Sequence, residues 1–421
     1  MYQNILNLPE ILEHIFKYLH KKQLKKLYKD FQFRQLALIA LRKYKIYKVH
    51  DELQTTDRRV QHLKFKYKID FSSLSEFSNL KSLDISYLCL NINDITGITK
   101  LNNLKVLNCS GNRWQTECVR QIAKIPNLES LYISRSVKSS QIDVISKMNN
   151  LKFLYISDND MIFEDAAKIC KMTNLTTLNI GYNDLRSKGA AEIAKMKNLK
   201  SLNIIYNQLK SESAIEISKM EGLTTLNIGV NQIGSKGAAE IIKMKNLRSL
   251  SILYNQLKLK DVIEISKMEG LTTLDISGND LEYSGAHAIA KMTNLTTLYY
   301  STNILGPQGA REIAKLTNLK NLDVYNNILE FEGVTEITKM TNLQYLNISS
   351  NNLKSQCITE IAKMTSLKNL DISNNNLGIE AVVELAKMTN LNSLNIERND
   401  FMYHDLKHAE VSFDHVYNLK F

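Results

Sequence analysis

From Leu80 onward the apolar residues fall on a fixed grid. The string L-x-x-L-x-[LI]-x-x-N-x-[LI] recurs with its first leucine at Leu80, Leu104, Leu128, Leu151, Leu175, Leu199, Leu223, Leu247, Leu271, Leu295, Leu319, Leu343, Leu367 and Leu391. These are fourteen copies, each step 24 residues except the 23 between Leu128 and Leu151. A period held that long predicts a solenoid and excludes separately folded domains over the same stretch. In one unit, Leu199, Leu202 and Ile204 bracket a short strand whose alternate side chains face inward, while Ser201, Asn203 and Ile205 face outward. Stacking the strands predicts a curved parallel sheet with the outward positions on its concave face.

The ninth position is asparagine at Asn112, Asn159, Asn183, Asn207, Asn231, Asn255, Asn279, Asn303, Asn327, Asn351, Asn375 and Asn399. An amide carries both a donor and an acceptor, as the backbone of a reversing chain buried inside the coil requires. Leu88 and Ser136 interrupt this ladder, so the first three repeats are expected to be less regular. The second half of each unit, as in SKGAAEIAKM, has helical spacing, with Ala190, Ile193 and Ala194 on one face. A glutamate column (Glu192, Glu216, Glu240, Glu264, Glu312, Glu336, Glu360, Glu384) precedes lysines three residues on, which predicts solvated i,i+3 pairs rather than catalytic groups. The methionine column, Met148, Met172, Met196, Met220, Met244, Met268, Met292, Met340, Met364 and Met388, is expected to fill the core.

These residues make the chain resemble the leucine-rich repeat superfamily in its strand-plus-helix, ribonuclease-inhibitor-like branch. The Gly-Ala pairs Gly189-Ala190, Gly237-Ala238, Gly285-Ala286 and Gly309-Ala310 are similar to GALA-type repeats of bacterial effectors and their protist relatives. The resemblance implies an α/β solenoid: parallel sheet on the concave face and short helices on the convex one. The expected organisation is a small N-terminal helical segment over residues 1–50, an irregular first turn over 51–79, fourteen repeats over 80–401 and a C-terminal cap over 402–421. Val60, Leu63 and Phe65 are candidates to begin an extra turn in the second of these.

In the N-terminal segment, Leu8-Pro9-Glu10-Ile11-Leu12 is followed by Ile15-Phe16 and Tyr18-Leu19, helical spacing behind a proline suited to a first turn. A second, basic helix is expected from Lys21 to Leu41, with Leu24, Leu27, Phe31, Leu38 and Leu41 on its apolar stripe. The string resembles the opening of the F-box motif. That resemblance implies docking on a Skp-type adaptor of cullin-based ubiquitin ligases through Leu8, Pro9, Ile11, Leu12, Ile15, Phe16 and Leu19. The alternative is a plain helical cap on the solenoid end.

Charge sharpens this division. The 421 residues carry a formal net charge of +11, but residues 1–70 hold 16 Lys and Arg against 7 Asp and Glu, leaving 38 against 36 for the rest. Basic character belongs to the N-terminal segment, whose lysines are expected to form a solvated helix face, and no nucleic-acid partner is expected. Five cysteines without a CxxC pair, no apolar run of bilayer length and no signal-like leader point to a cytoplasmic protein, in a host cytosol if it is a secreted bacterial effector. A monomer is expected.

The third, fifth, seventh and eighth positions define the expected ligand face. No lysine occupies any of them. Aromatic and aliphatic residues stand there instead: Phe153, Tyr155, Tyr182, Ile205, Tyr206, Val230, Leu253, Tyr254, Tyr299, Tyr325 and Tyr345. Exposed tyrosine-rich surface suits a protein target. Recent copying is the competing explanation, because residues 175–222 and 223–270 are near duplicates. Phosphate-loop, nucleophile-elbow and zinc-helix motifs are absent, so no enzyme activity and no cofactor are expected. His404, His408, Asp405 and His415 lack the fixed spacing of a metal site, and none is assigned. The expected function is a non-enzymatic, substrate-recruiting adaptor. The alternatives are a scaffold or effector without a ligase link and, on the repeat branch alone, a GTPase activator of the Ran type.

Overall fold

The computed structural model describes residues 47–49, 61–65, 79–401 and 418–420, with residues 68, 71, 74, 77, 413 and 416. It falls into two compact units, the first ending at Asn159 and the second beginning at Asp160. Each is a stretch of solenoid in which a three- or four-residue strand alternates with a helix of six to eight residues.

In the first unit the strands Tyr47–Val49, His62–Phe65, Ser82–Asp84, Val106–Asn108, Ser130–Tyr132 and Phe153–Tyr155 pair in parallel, in chain order. The register is set by the inward leucines, Leu63 against Leu83, Leu107, Leu131 and Leu154 in turn. His62–Phe65 supplies the extra turn, with Leu63 and Phe65 buried. The backbone of the preceding strand, Tyr47–Val49, pairs with His62–Phe65.

In the second unit the strands run from Thr177–Asn179 to Ser393–Asn395 with one residue opposite each equivalent, Leu178 to Leu202 and onward to Leu394. The terminal segment covers the edge of this unit. Asn418–Lys420 adds a strand against Ser393–Asn395, and Phe413 and Val416 are buried. A further strand satisfies backbone donors and acceptors that apolar side chains would only cover.

The helices are too short to persist alone and exist because one face packs. In Arg186–Ile193 the buried residues are Gly189, Ala190 and Ile193. Glycine there lets neighbouring turns touch: a Cβ on Gly309 would lie 3.3 Å from Cα of Tyr283 in the previous helix. All eight glutamates of the helix column pair with the lysine three residues on, at 2.6–2.8 Å. The methionine column fills the core with one exception, since Met268 is only half-buried.

The asparagine ladder forms the buried turn edge. Asn207 Nδ2 donates to the carbonyls of Ile180 (3.0 Å), Ile204 (3.2 Å) and Ile205 (3.1 Å), and its Oδ1 accepts from Leu185 N (3.3 Å). Where the ladder is interrupted, Ser136 substitutes in part: its hydroxyl donates to Ser134 O at 2.8 Å and accepts from Asn112 N at 3.4 Å. A second ladder sits at the residue before the first leucine of many coils, though not at Gly222, Gly270 or Ser366. Asn198, Asn246, Asn294, Asn318, Asn342 and Asn390 each donate to a backbone carbonyl one coil back, at 2.8–3.0 Å.

Candidate functional site

The sheet face beside the buried ladder is built by the strand positions that alternate outward, and its most informative column is the eighth. All fourteen eighth-position residues have positive φ, among them Tyr87 (+59°), Tyr182 (+54°), Tyr206 (+51°), Val230 (+49°) and Tyr254 (+48°). The chain turns sharply here so that the next side chain, the asparagine, can enter the coil. Left-handed backbone suits glycine or asparagine, as at Gly111, Gly278, Asn326 and Asn374. A tyrosine or a β-branched valine there holds roughly 1–3 kcal/mol of strain.

In the first unit, the Tyr132 and Tyr155 rings stack with centroids 4.0 Å apart and planes within 5°. Burial first, then Tyr155, pushes the Tyr132 hydroxyl pKa up to about 12. Phe153 is exposed on the same strand as Tyr155. The ring of Tyr87 covers Gly111, where a Cβ would meet it at 2.3 Å. Charges on this face are internally paired, Arg135 with Asp158 and Lys64 with Asp84. Burial of Asp84 opposes its ionisation, but hydrogen bonds from Lys64 and Ser86 outweigh that and hold its pKa below the ordinary value.

In the second unit, Tyr182 and Tyr206 stack at 5.3 Å and 20° and are each more than half exposed. Tyr254 is also exposed and lies over Gly278. Val230 is half-buried, so the row is present but not uniform. Ile205 and Leu253 are half-buried as well, and the reason is local. A Cβ on Gly181 would meet Ile205 Cγ2 at 2.6 Å, and one on Gly229 would meet Leu253 Cδ2 at 2.1 Å, so each large side chain folds over a glycine of the neighbouring coil.

Toward the C-terminal end, Tyr299 and Tyr325 are exposed and Tyr345 is half-buried. Among them stand Asp275, Asp323 and Asp371, hydrogen-bonded by neutral partners. Ser251 Oγ donates to Asp275 at 3.0 Å, and the Asn347 and Asn395 amides donate to Asp323 and Asp371 at 2.9 Å. None of the three pairs with a cation among the described residues. Burial, supplemented by the charge of Asp323, raises the Asp275 pKa, and burial together with Asp323 and Asp371 pushes Tyr345 up to about 12.

The structure therefore puts every one of the eleven face residues singled out from the sequence at the surface or partly exposed, on two separate units. Leu8, Pro9, Ile11, Leu12, Ile15, Phe16 and Leu19 lie outside the described residues, as do His404, Asp405, His408 and His415. Two features escaped the sequence reading. Tyr300 takes an inward position normally held by isoleucine, is fully buried, and donates its hydroxyl to Glu282 O at 2.8 Å. Gly285 makes room for it, since a Cβ there would sit 2.5 Å from that oxygen. The second asparagine ladder was visible as a K-M-x-N-L column. Among the described residues no three metal-ligating side chains gather, and no helix is long and apolar enough to cross a membrane.

Repeated coils that lend their outward positions to variable side chains define a protein–protein interaction scaffold. A family model described as "Leucine-rich repeat region" matches residues 62–308, and "Leucine Rich Repeat" matches residues 342–364 and 366–388. The chain belongs to the leucine-rich repeat family. An internalin of Listeria monocytogenes is 20% identical over 84% of this chain and 93% of its own, with a TM-score of 0.45. A leucine-rich repeat protein of Leptospira interrogans is 22% identical over 82% and 90%, with a TM-score of 0.44. No curated protein matches the chain.

Proposed function

We propose that the sheet face of the second unit captures a protein target, with Tyr182, Tyr206 and Tyr254 as its anchors. The observation carrying this is that exposed tyrosines occupy left-handed backbone, where glycine or asparagine would serve the fold better. Rings that stay about half in water recover only part of that strain through the Tyr182–Tyr206 stack and the contact of Tyr254 with Gly278. They are well suited to a partner, because a tyrosine brings much contact area at little conformational entropy. Replacing both Tyr206 and Tyr254 by alanine removes the rings without changing the backbone demand. The expected result, read by quantitative mass spectrometry of co-purified proteins, is loss of the principal partner with a nearly unchanged melting temperature. Unaltered partner recovery refutes the assignment.

The finer reading makes this module the target-holding half of a ubiquitin-ligase adaptor of GALA-like repeat type. Its support is the F-box-like string from Leu8 to Leu19 and the Gly-Ala pairs of the helices. Co-purification with a Skp adaptor, abolished by changing Leu8 and Pro9 to alanine, is the expected outcome. A wild-type chain that fails to bind the adaptor leaves the interaction module without a ligase link.

A further inference from the structure

A different surface of the second unit breaks the repeat rules more sharply than the sheet face. The tenth position of each coil lies in the turn leading from strand to helix. At nine of the eleven tenth positions in this unit the residue is Asp, Asn or Gln, as at Gln208, Gln256 and Asn352. The two exceptions are adjacent. Ile304 and Ile328 are 52% and 56% exposed, with φ of +56° and +54°. A β-branched side chain in left-handed backbone is a steric outlier, and exposure leaves it no packing in return. Three residues on, in the first turns of the helices Glu282–Ile289, Gly306–Ile313 and Glu330–Ile337, stand Tyr283, Pro307 and Phe331. Tyr283 is 54% exposed and Phe331 36%. Three successive coils thus carry an apolar thirteenth position, and the last two an apolar tenth position as well, with Asp280 at the tenth position of the first.

The rim of this patch is acidic and uncompensated. Glu282, Glu330 and Glu332 are exposed, and none has an ion-pair partner among the described residues, whereas all eight glutamates of the helix column are matched with lysine. No lysine or arginine occurs between the tenth and thirteenth positions of these three coils, and the next cations in that stretch are Lys258 and Lys354. The backbone at the edge is already occupied: Glu282 N donates to Asn303 O at 2.8 Å and Gly306 N to Asn327 O at 3.0 Å. An added strand would find few free donors there, so the occupant must satisfy its own backbone, as a helix does.

We infer that Tyr283, Ile304, Ile328 and Phe331 dock a basic amphipathic helix of a partner protein, its apolar stripe on the isoleucines and its lysines or arginines against Glu282, Glu330 and Glu332. The site is independent of the sheet face. The test uses the full-length chain and a fluorescein-labelled synthetic peptide of leucine and lysine whose leucines share one helical face, with a leucine and glutamate analogue as control. The lysine peptide is expected to bind the wild type and gain helicity, read by anisotropy and circular dichroism, and the glutamate analogue to stay free. Asparagine fits the left-handed tenth position, as Asn352 does, so I304N with I328N keeps both fold and net charge. That variant should bind about tenfold or more weakly while melting no lower than wild type. E282Q with E330Q and E332Q should also weaken binding and flatten its salt dependence. No binding by the wild type, equal binding by I304N with I328N, or equal binding of the glutamate analogue overturns the proposal.

Discussion

The eighth and ninth positions of each coil are chain neighbours with opposite fates. The ninth enters the coil, its amide bridges two turns, and it is asparagine in twelve of fourteen repeats. The eighth faces water in left-handed backbone, and it is variously Tyr, Gly, Arg, Asp, Val, Thr, Asn or Ser. Backbone geometry is the same in every coil, so the difference lies in what surrounds the side chain. Burial with an unmet donor and acceptor favours one residue type, with Ser136 its partial substitute. Exposure permits many, including ones the backbone disfavours. Uniformity therefore marks the fold, and costly variety marks what the fold presents.

The largest effect should come from the uniform column. Asn327 is fully buried, accepts from Asn303 N and Leu305 N at 3.0 Å, and donates to Tyr300 O at 2.9 Å. Asn327→Ala strands these groups and should cost about 3 kcal/mol in urea unfolding. A loss below about 1 kcal/mol breaks the contrast between the columns. In the exposed column the sign reverses. Val230→Asn relieves a β-branched residue at φ +49° and should stabilise by about 1 kcal/mol. Destabilisation there means that Val230 serves packing, and the strain argument for its tyrosine neighbours falls with it.

Asp275 sharpens the same contrast through pH. Burial raises its folded pKa above the ordinary carboxylate value, so the folded chain holds that proton more tightly than the unfolded one. Its stability is complete below the ordinary carboxylate range and declines as pH rises through the folded pKa. Asp275→Asn should then raise the melting temperature at neutral pH by less than Val230→Asn does, with the gain fading in acid. A pH-independent gain points to a packing effect instead. The smallest effect is expected on the wet helix face. Lys363→Gln removes the 2.7 Å pair with Glu360 and should shift the melting temperature by less than about 1 °C, since exposed pairs are screened.

What could be read from the sequence follows the same division. Leu199, Leu202, Ile204 and Asn207 were legible because their burial tolerates so little else, and the glutamate and lysine columns because helical spacing fixes who meets whom. The eleven face residues were legible as outward-facing, since a strand alternates strictly. What those residues do to one another was not. Ile205 and Leu253 fold over Gly181 and Gly229, and Tyr132 finds Tyr155, through choices made in neighbouring coils that a single-coil pattern does not contain. Tyr300 and Gly285 form such a pair in the interior. The strand Asn418–Lys420 escaped because it stands outside the 24-residue period, so no register announced it.

The amide bridges reach back by one coil and ask nothing of it beyond backbone carbonyl and N–H groups that every coil offers. A joint so generic can be cut and resealed anywhere along the stack. Unequal recombination that adds or deletes a whole coil would move Tyr254 relative to Tyr182 by about 5 Å, one strand spacing, and leave every seam intact. The near-duplicate stretch 175–270 has the form of such an event. Reach, in a molecule assembled this way, is heritable in fixed increments.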